Sequence, residues 1–250
     1  MDKALKSVLD WWEDAGVDVP DVTLAAPKRK PKPRPETQKK SAPTPRAAPE
    51  PALPLIDAAP IAAKAKTLAE LKAAMDKFDA GALSDAARQC VFARGNPESD
   101  LMVIGEAPGR DEDIAGKSFV GRSGQLLDKM LASIGVSEDD FYITNVVNWR
   151  PPKNRNPSPE EIAMCRPFFN RHIELMAPKA ILIVGGVSLS AMTGITGIMK
   201  NRGQWQTINI GTVDIPALPI YHPAFLLRQP ALKKDAWRDL LALREFLGAV

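Results

Sequence analysis

Cysteine is nearly absent from this chain: Cys90 and Cys165 are the only two in 250 residues. Two thiols cannot build a disulfide framework or fill a site of four thiolates. The expectation is a pair of buried, reduced thiols in a protein of the cytoplasm. Long apolar runs are missing as well, and without a stretch of 18 or more apolar residues no transmembrane helix is expected. The opening stretch MDKALKSVLDWWEDAG carries acids and tryptophans where an export signal needs a continuous apolar core. Histidine is scarce, with His172 and His222 alone. Net charge is small too: 33 Lys and Arg against 30 Asp and Glu leave +3, too little to imply a polyanionic partner by its sum.

What is present is unevenly placed. Eleven of the 23 prolines lie between Pro20 and Pro60, and within that stretch the cluster Lys28, Arg29, Lys30, Lys32, Arg34, Lys39, Lys40 and Arg46 is opposed between residues 28 and 46 only by Glu36. A stretch with few backbone donors and little apolar surface predicts a disordered basic linker over residues 19–64. Ahead of it, Leu5, Val8, Leu9 and Trp12 recur at spacings of three and four, so residues 1–18 predict a short amphipathic helix. With Trp11 and Trp12 exposed on such a helix, a protein partner could dock there. Residues 65–250 are expected to fold.

In that body short apolar runs alternate with helical patterns. Strands are expected at 101–104, 141–147, 180–184 and 219–221, with a hairpin over 207–215 around Gly211. Helices are expected at 67–78, 125–134, 159–176, after Gly185-Gly186, and at 231–247. The alternation predicts an α/β fold, a central parallel sheet of about four strands flanked by helices. Ligands of such sheets bind beyond the carboxyl ends of the strands.

Three polar segments fall at those ends: GEAPGRDED (105–113) leading to FVGR (119–122), TN (144–145) followed by RPPKNRNP (150–157), and HPAFLLR (222–228). One Gly/Pro turn after a strand is ordinary. Three such segments on one sheet edge point to a site. These strings, with KSFVGRSGQLLDKML, LIVGG and the order in which they occur, resemble the family 4 uracil-DNA glycosylases, from about Phe78 to the end of the chain.

The resemblance implies a monofunctional enzyme that flips uracil out of DNA and hydrolyses its bond to deoxyribose, leaving an abasic site for base excision repair. It assigns Phe119 to stacking on the flipped base, Asn145 to reading the uracil edge, and His222 to donating to uracil O2, assisted by the backbone N–H near Ala107. Glu106 and Glu112 are candidates for orienting the water or stabilising the sugar cation, with a solvated loop acid as the alternative for each. Leu226, Leu227 and Arg228 resemble the segment that enters DNA, and Arg150, Lys153 and Arg155 are placed to track phosphates. Structural alternatives stay open for single residues: core packing for Phe119, a turn cap for Asn145.

The family's members bind an iron–sulfur cluster through four cysteines. The matching positions here are Phe78, Gly81, Trp149 and Cys165, so one ligand in four is kept and no metal cofactor is expected. The expected partner is uracil-containing DNA, the expected state a monomer in the cytoplasm away from membranes.

Overall fold

The computed structural model of the chain describes residues 57–211 and 213–248. The expectations for the helix over 1–18 and for the linker as far as residue 56 lie outside them. The described chain opens with three short helices, α1 (Ala59–Lys64), α2 (Leu68–Asp76) and α3 (Ala82–Ala86), and then enters the sheet with β1 (Arg94–Gly95) and β2 (Leu101–Gly105). After α4 (Arg110–Ala115), α5 (Arg122–Ala132) and β3 (Phe141–Asn145) comes the long helix α6 (Pro159–Met176). The order closes with β4 (Ala180–Val184), α7 (Gly186–Thr193), α8 (Ile198–Asn201), β5 (Gln206–Ile210), β6 (Val213–Ile220), α9 (Pro223–Arg228) and α10 (Lys233–Leu247).

The six strands form one open sheet in the order β1-β3-β2-β4-β6-β5. The central four are mutually parallel, as the alternation predicts; the edge strands β1 and β5 run antiparallel to β3 and β6. Every residue of β2, β3 and β4 is buried. That is the condition of parallel strands covered on both faces, and it explains why β2 and β4 read as unbroken apolar runs. The hairpin and the last strand expected as separate elements are one: β6 runs through Pro216 and Pro219, which stand in register with Thr207 and Ile183. Proline forfeits a ladder donor but keeps an extended backbone, so it shortens no strand here.

On one face of the sheet Ile104, Ile183 and Ala217 pack with Phe169 and Ile173 of α6. A second cluster, to which no strand contributes, gathers Leu71, Met75, Phe78, Trp149, and Cys165 and Phe168 of the same helix with Ala58, Ala62 and Ala65. The folded body therefore begins before Ala65, inside the stretch expected to be linker. Pro60 sits in the first turn of α1, where its missing N–H costs nothing, and the small alanines let that helix pack closely. Helix α6 starts where its sequence says: Ser158 Oγ accepts from the Glu161 N–H, Glu161 returns the bond to the Ser158 N–H at 2.7 Å, and Pro159 fills the first position. Among the described residues no helix is long and apolar enough to cross a membrane.

Candidate active site

Because the central strands are parallel, their carboxyl ends meet on one edge, and β2 has one later strand on either side of it. The sheet reverses its direction of growth there, which opens a crevice. A cleft of about 570 Å³ occupies it, lined by Glu106, Ala107 and Glu112 after β2, by Phe119, by Asn145 at the end of β3, and by His222 after β6. Arg155 and Arg228 line it as well.

Asn145 is 2% exposed, and among the described residues neither its Oδ1 nor its Nδ2 has a hydrogen-bond partner. A buried amide left unpaired costs about 1–3 kcal/mol. At the wall of a cleft, such a cost marks a group held ready for a ligand with one donor beside one acceptor. Phe119 presents a ring to the same space from a left-handed backbone, φ 56°, a conformation unfavourable for a bulky residue and tolerated where function requires it. Its ring lies 6.0 Å from that of His222, tilted by 33°.

His222 caps α9, its Nδ1 accepting from the Ala224 N–H at 3.1 Å. An accepting Nδ1 carries no proton, so the neutral ring must carry its hydrogen on Nε2 as a donor. Burial, helped by the positive charge of Arg228, pushes the His222 pKa down to about 4 and keeps the ring neutral at physiological pH. The Glu106 carbonyl accepts from the Val147 N–H at 3.1 Å, while its side chain has no hydrogen bond or ion pair among the described residues and burial raises its carboxyl above the ordinary value. Glu112 is placed differently. Its Oε2 accepts from the Gly109 N–H at 3.1 Å and its Oε1 from the Gly121 N–H at 2.8 Å. Both oxygens are spent tying the loop after β2 to the loop that carries Phe119.

The residues expected to meet DNA divide. Leu226 is fully buried, so it cannot serve as a wedge; Leu227, at 37% exposure, is the member of the pair presented to solvent. Helix α9 is only six residues long and buries one side, and two adjacent leucines must face apart. Arg150 is engaged within its loop, with Nε donating to Asn154 Oδ1 at 2.6 Å and an ion pair of 3.7 Å to buried Asp113. Arg155 forms a two-point pair with Glu161 at 2.7 and 2.6 Å while lining the cleft. Lys153 is exposed outside it. Two residues that sequence reasoning misses, Arg110 and Arg122, also line the cleft. A signal exists in the repeated Gly-Arg step, Gly109-Arg110 and Gly121-Arg122, at the start of two helices.

Of the four positions matched to cluster ligands, Phe78 sits edge-on to Phe168 at 4.9 Å and tilted against Trp149 at 6.1 Å. Cys165 is buried beside them, and burial pushes its thiol up to about 12, which keeps the proton on sulfur. Gly81 precedes α3. One protonated thiol among aromatic rings does not fit an iron–sulfur cluster.

Residues 92–241 match the Uracil DNA glycosylase superfamily. The chain is similar to the Type-4 uracil-DNA glycosylase of Archaeoglobus fulgidus, 37% identical over 62% of this chain and 80% of the relative. Its similarity to the Type-4 uracil-DNA glycosylase of Saccharolobus solfataricus is also 37%, over 70% of this chain and 88% of the relative. With the Type-4 enzyme of Thermotoga maritima it shares 35%, over 63% and 82%.

Proposed function

Since the chain belongs to the uracil DNA glycosylase superfamily, we propose that its cleft receives a uracil flipped out of DNA and hydrolyses the bond joining that base to deoxyribose. The observation that carries this reading is the unpaired, buried amide of Asn145. Uracil presents a ring N–H beside a carbonyl; the asparagine Oδ1 accepts from the first and Nδ2 donates to the second. Cytosine offers the reverse pattern and leaves that amide unsatisfied. Phe119 replaces the stacking lost on flipping.

The C1′–N1 bond breaks with its electron pair staying on uracil. The Nε2–H of neutral His222 donates to O2, where that charge collects, together with the backbone N–H near Ala107. A water attacks C1′ and yields its proton to Glu106, whose half-buried carboxylate also faces the cationic sugar. Free uracil and an abasic site result. Glu112 holds the two loops in place. Leu227 enters the vacated stack, while Arg228, Arg155 and Lys153 meet phosphates. Arg150 supports the loop that carries them. The reading includes action as a monomer, in the cytoplasm with the chromosome.

We also assign the protein no iron–sulfur cluster, on the donor set at Phe78, Gly81, Trp149 and Cys165, and derive no step through one. The amphipathic pattern of residues 1–18 is assigned to docking on another repair or replication protein. The decisive test of the activity is release of base from DNA carrying uracil, thymine, hypoxanthine or xanthine. Release of uracil, lost in Asn145→Leu, is expected. Hypoxanthine shows the same donor beside an acceptor, so release of that base in preference to uracil overturns the uracil reading.

A further inference from the structure

The left-handed backbone of Phe119 must be held from behind, and one side chain outside the cleft does so. Arg94, on the two-residue edge strand β1, keeps only 9% of its side chain exposed. Its Nε donates to the Ser118 carbonyl at 2.8 Å and its Nη2 to the Phe119 carbonyl at 3.1 Å. Nη2 also reaches Asp128 at 2.5 Å, Nη1 reaches Glu138 at 2.9 Å, and the guanidinium lies 5.5 Å from the centre of the Phe141 ring. The same carbonyl is also crowded from α5: a Cβ at Gly124 would overlap the Phe119 oxygen. The peptide behind the stacking ring thus meets both a guanidinium fork and a helix that has room for nothing but glycine.

We propose that Arg94 is a positioning residue for uracil excision: it touches neither base nor DNA, and acts by fixing the two peptide units that flank Phe119 so that the Phe119 ring faces the flipped base. The planar fork suits this task where a lysine does not. Two N–H bonds to consecutive carbonyls fix the peptide units on either side of Phe119, whereas a point charge defines only a distance. Asp128 and Phe141 hold the fork in turn. The inference rests on the reading of Phe119 as the stacking face.

The test is a double-mutant cycle on the single-turnover rate of uracil release, using the full chain. Arg94→Gln and Arg94→Lys should each slow release by roughly ten- to a hundredfold, the cost of a small misplacement in an oriented site. Affinity for uncleaved duplex should change by about twofold at most, since only the ring's pose is altered. In the Phe119→Ala background the same Arg94 substitutions should cost little further rate, because the group they act through is gone. Glu138→Gln, which removes the solvent-exposed partner, should leave the rate unchanged. If Arg94→Gln fails to fold, Arg94→Lys, which keeps the charge beside Asp128, carries the comparison. Wild-type rates in the Arg94 variants, or an equal loss with and without the Phe119 ring, overturn the proposal. A Phe119→Ala protein with an unimpaired rate instead overturns the stacking assignment beneath it.

Discussion

Gly105 stands opposite Asn145 in the parallel β2–β3 pair, and a Cβ built on it would lie 2.5 Å from the asparagine Oδ1 and press into the Phe119 ring. The Asn145 amide and the Phe119 ring therefore converge on one hydrogen atom of the strand.

The first prediction follows from that approach. Gly105→Ala should push both groups off their positions and slow uracil release by about tenfold or more. Overpacking of this kind typically costs about 1–3 kcal/mol of stability. Single-turnover kinetics beside a denaturant melt check it; a rate equal to wild type means that the two side chains can give way.

Asn145→Asp removes the donor half of the amide. A carboxylate facing the uracil carbonyl leaves two buried acceptors opposed, worth a few kcal/mol, so kcat/KM on uracil should fall at least about a hundredfold. The ratio of uracil to cytosine release should narrow with it, which competition between the two substrates measures directly.

For His222 the neutral ring is the working form. With its pKa near 4, the ring is already the neutral donor at pH 5.5, so the rate should show no break near the ordinary histidine value. The acid limb should belong to Glu106, whose pKa burial raises: rate falls as pH drops through that value, and Glu106→Gln abolishes the limb along with most of the rate. His222→Ala should cost about two to three orders of magnitude. Only two histidines exist, and His172 is buried against Tyr142 with a pKa near 3. NMR of the imidazoles should find both neutral between pH 5.5 and 8.

The purified protein should be colourless, free of stoichiometric iron, and active. The aromatic packing of Phe78 and Trp149 is what supports that region, so Trp149→Ala should cost about 3–5 kcal/mol. Metal analysis and calorimetry test the two halves separately, and visible absorption with bound iron overturns the first.

Charge between residues 28 and 46 should add non-specific affinity for DNA. Replacing its eight lysines and arginines with glutamine in the full chain should flatten the slope of log affinity against log salt by about 0.9 for each phosphate no longer neutralised. Single-turnover release at saturating enzyme should not change. Identical slopes would reduce the segment to a spacer.

Much of this is legible in the chain. The limits of α6 and β4 follow from Ser158-Pro159 and from an unbroken apolar run, local signals strong enough to place an element. Asn145 and His222 can be placed because both end or follow strands within recognisable strings. Other features depend on distant neighbours. β1 is two residues long and exists only because β3 offers it an edge. Which of Leu226 and Leu227 faces inward is decided by the elements beneath α9. The double tie of Glu112 needs two loops that sequence cannot bring together. Arg94 reads as an ordinary surface arginine until Ser118 and Phe119 fold back to it.

The unpaired amide of Asn145 has a consequence for what happens after the bond breaks. In the proposed pose its two partners on the base are the ring N–H and the far carbonyl, and free uracil keeps both after the glycosidic bond is cut. The far carbonyl is conjugated with N1 and shares the charge that collects on the departing base, so the Nδ2 donor both selects the base and adds to the stabilisation supplied at O2. Free uracil still satisfies the amide. Product should leave slowly and compete with DNA for the empty cleft, and inhibition by added uracil should weaken in step with discrimination when Asn145 is changed.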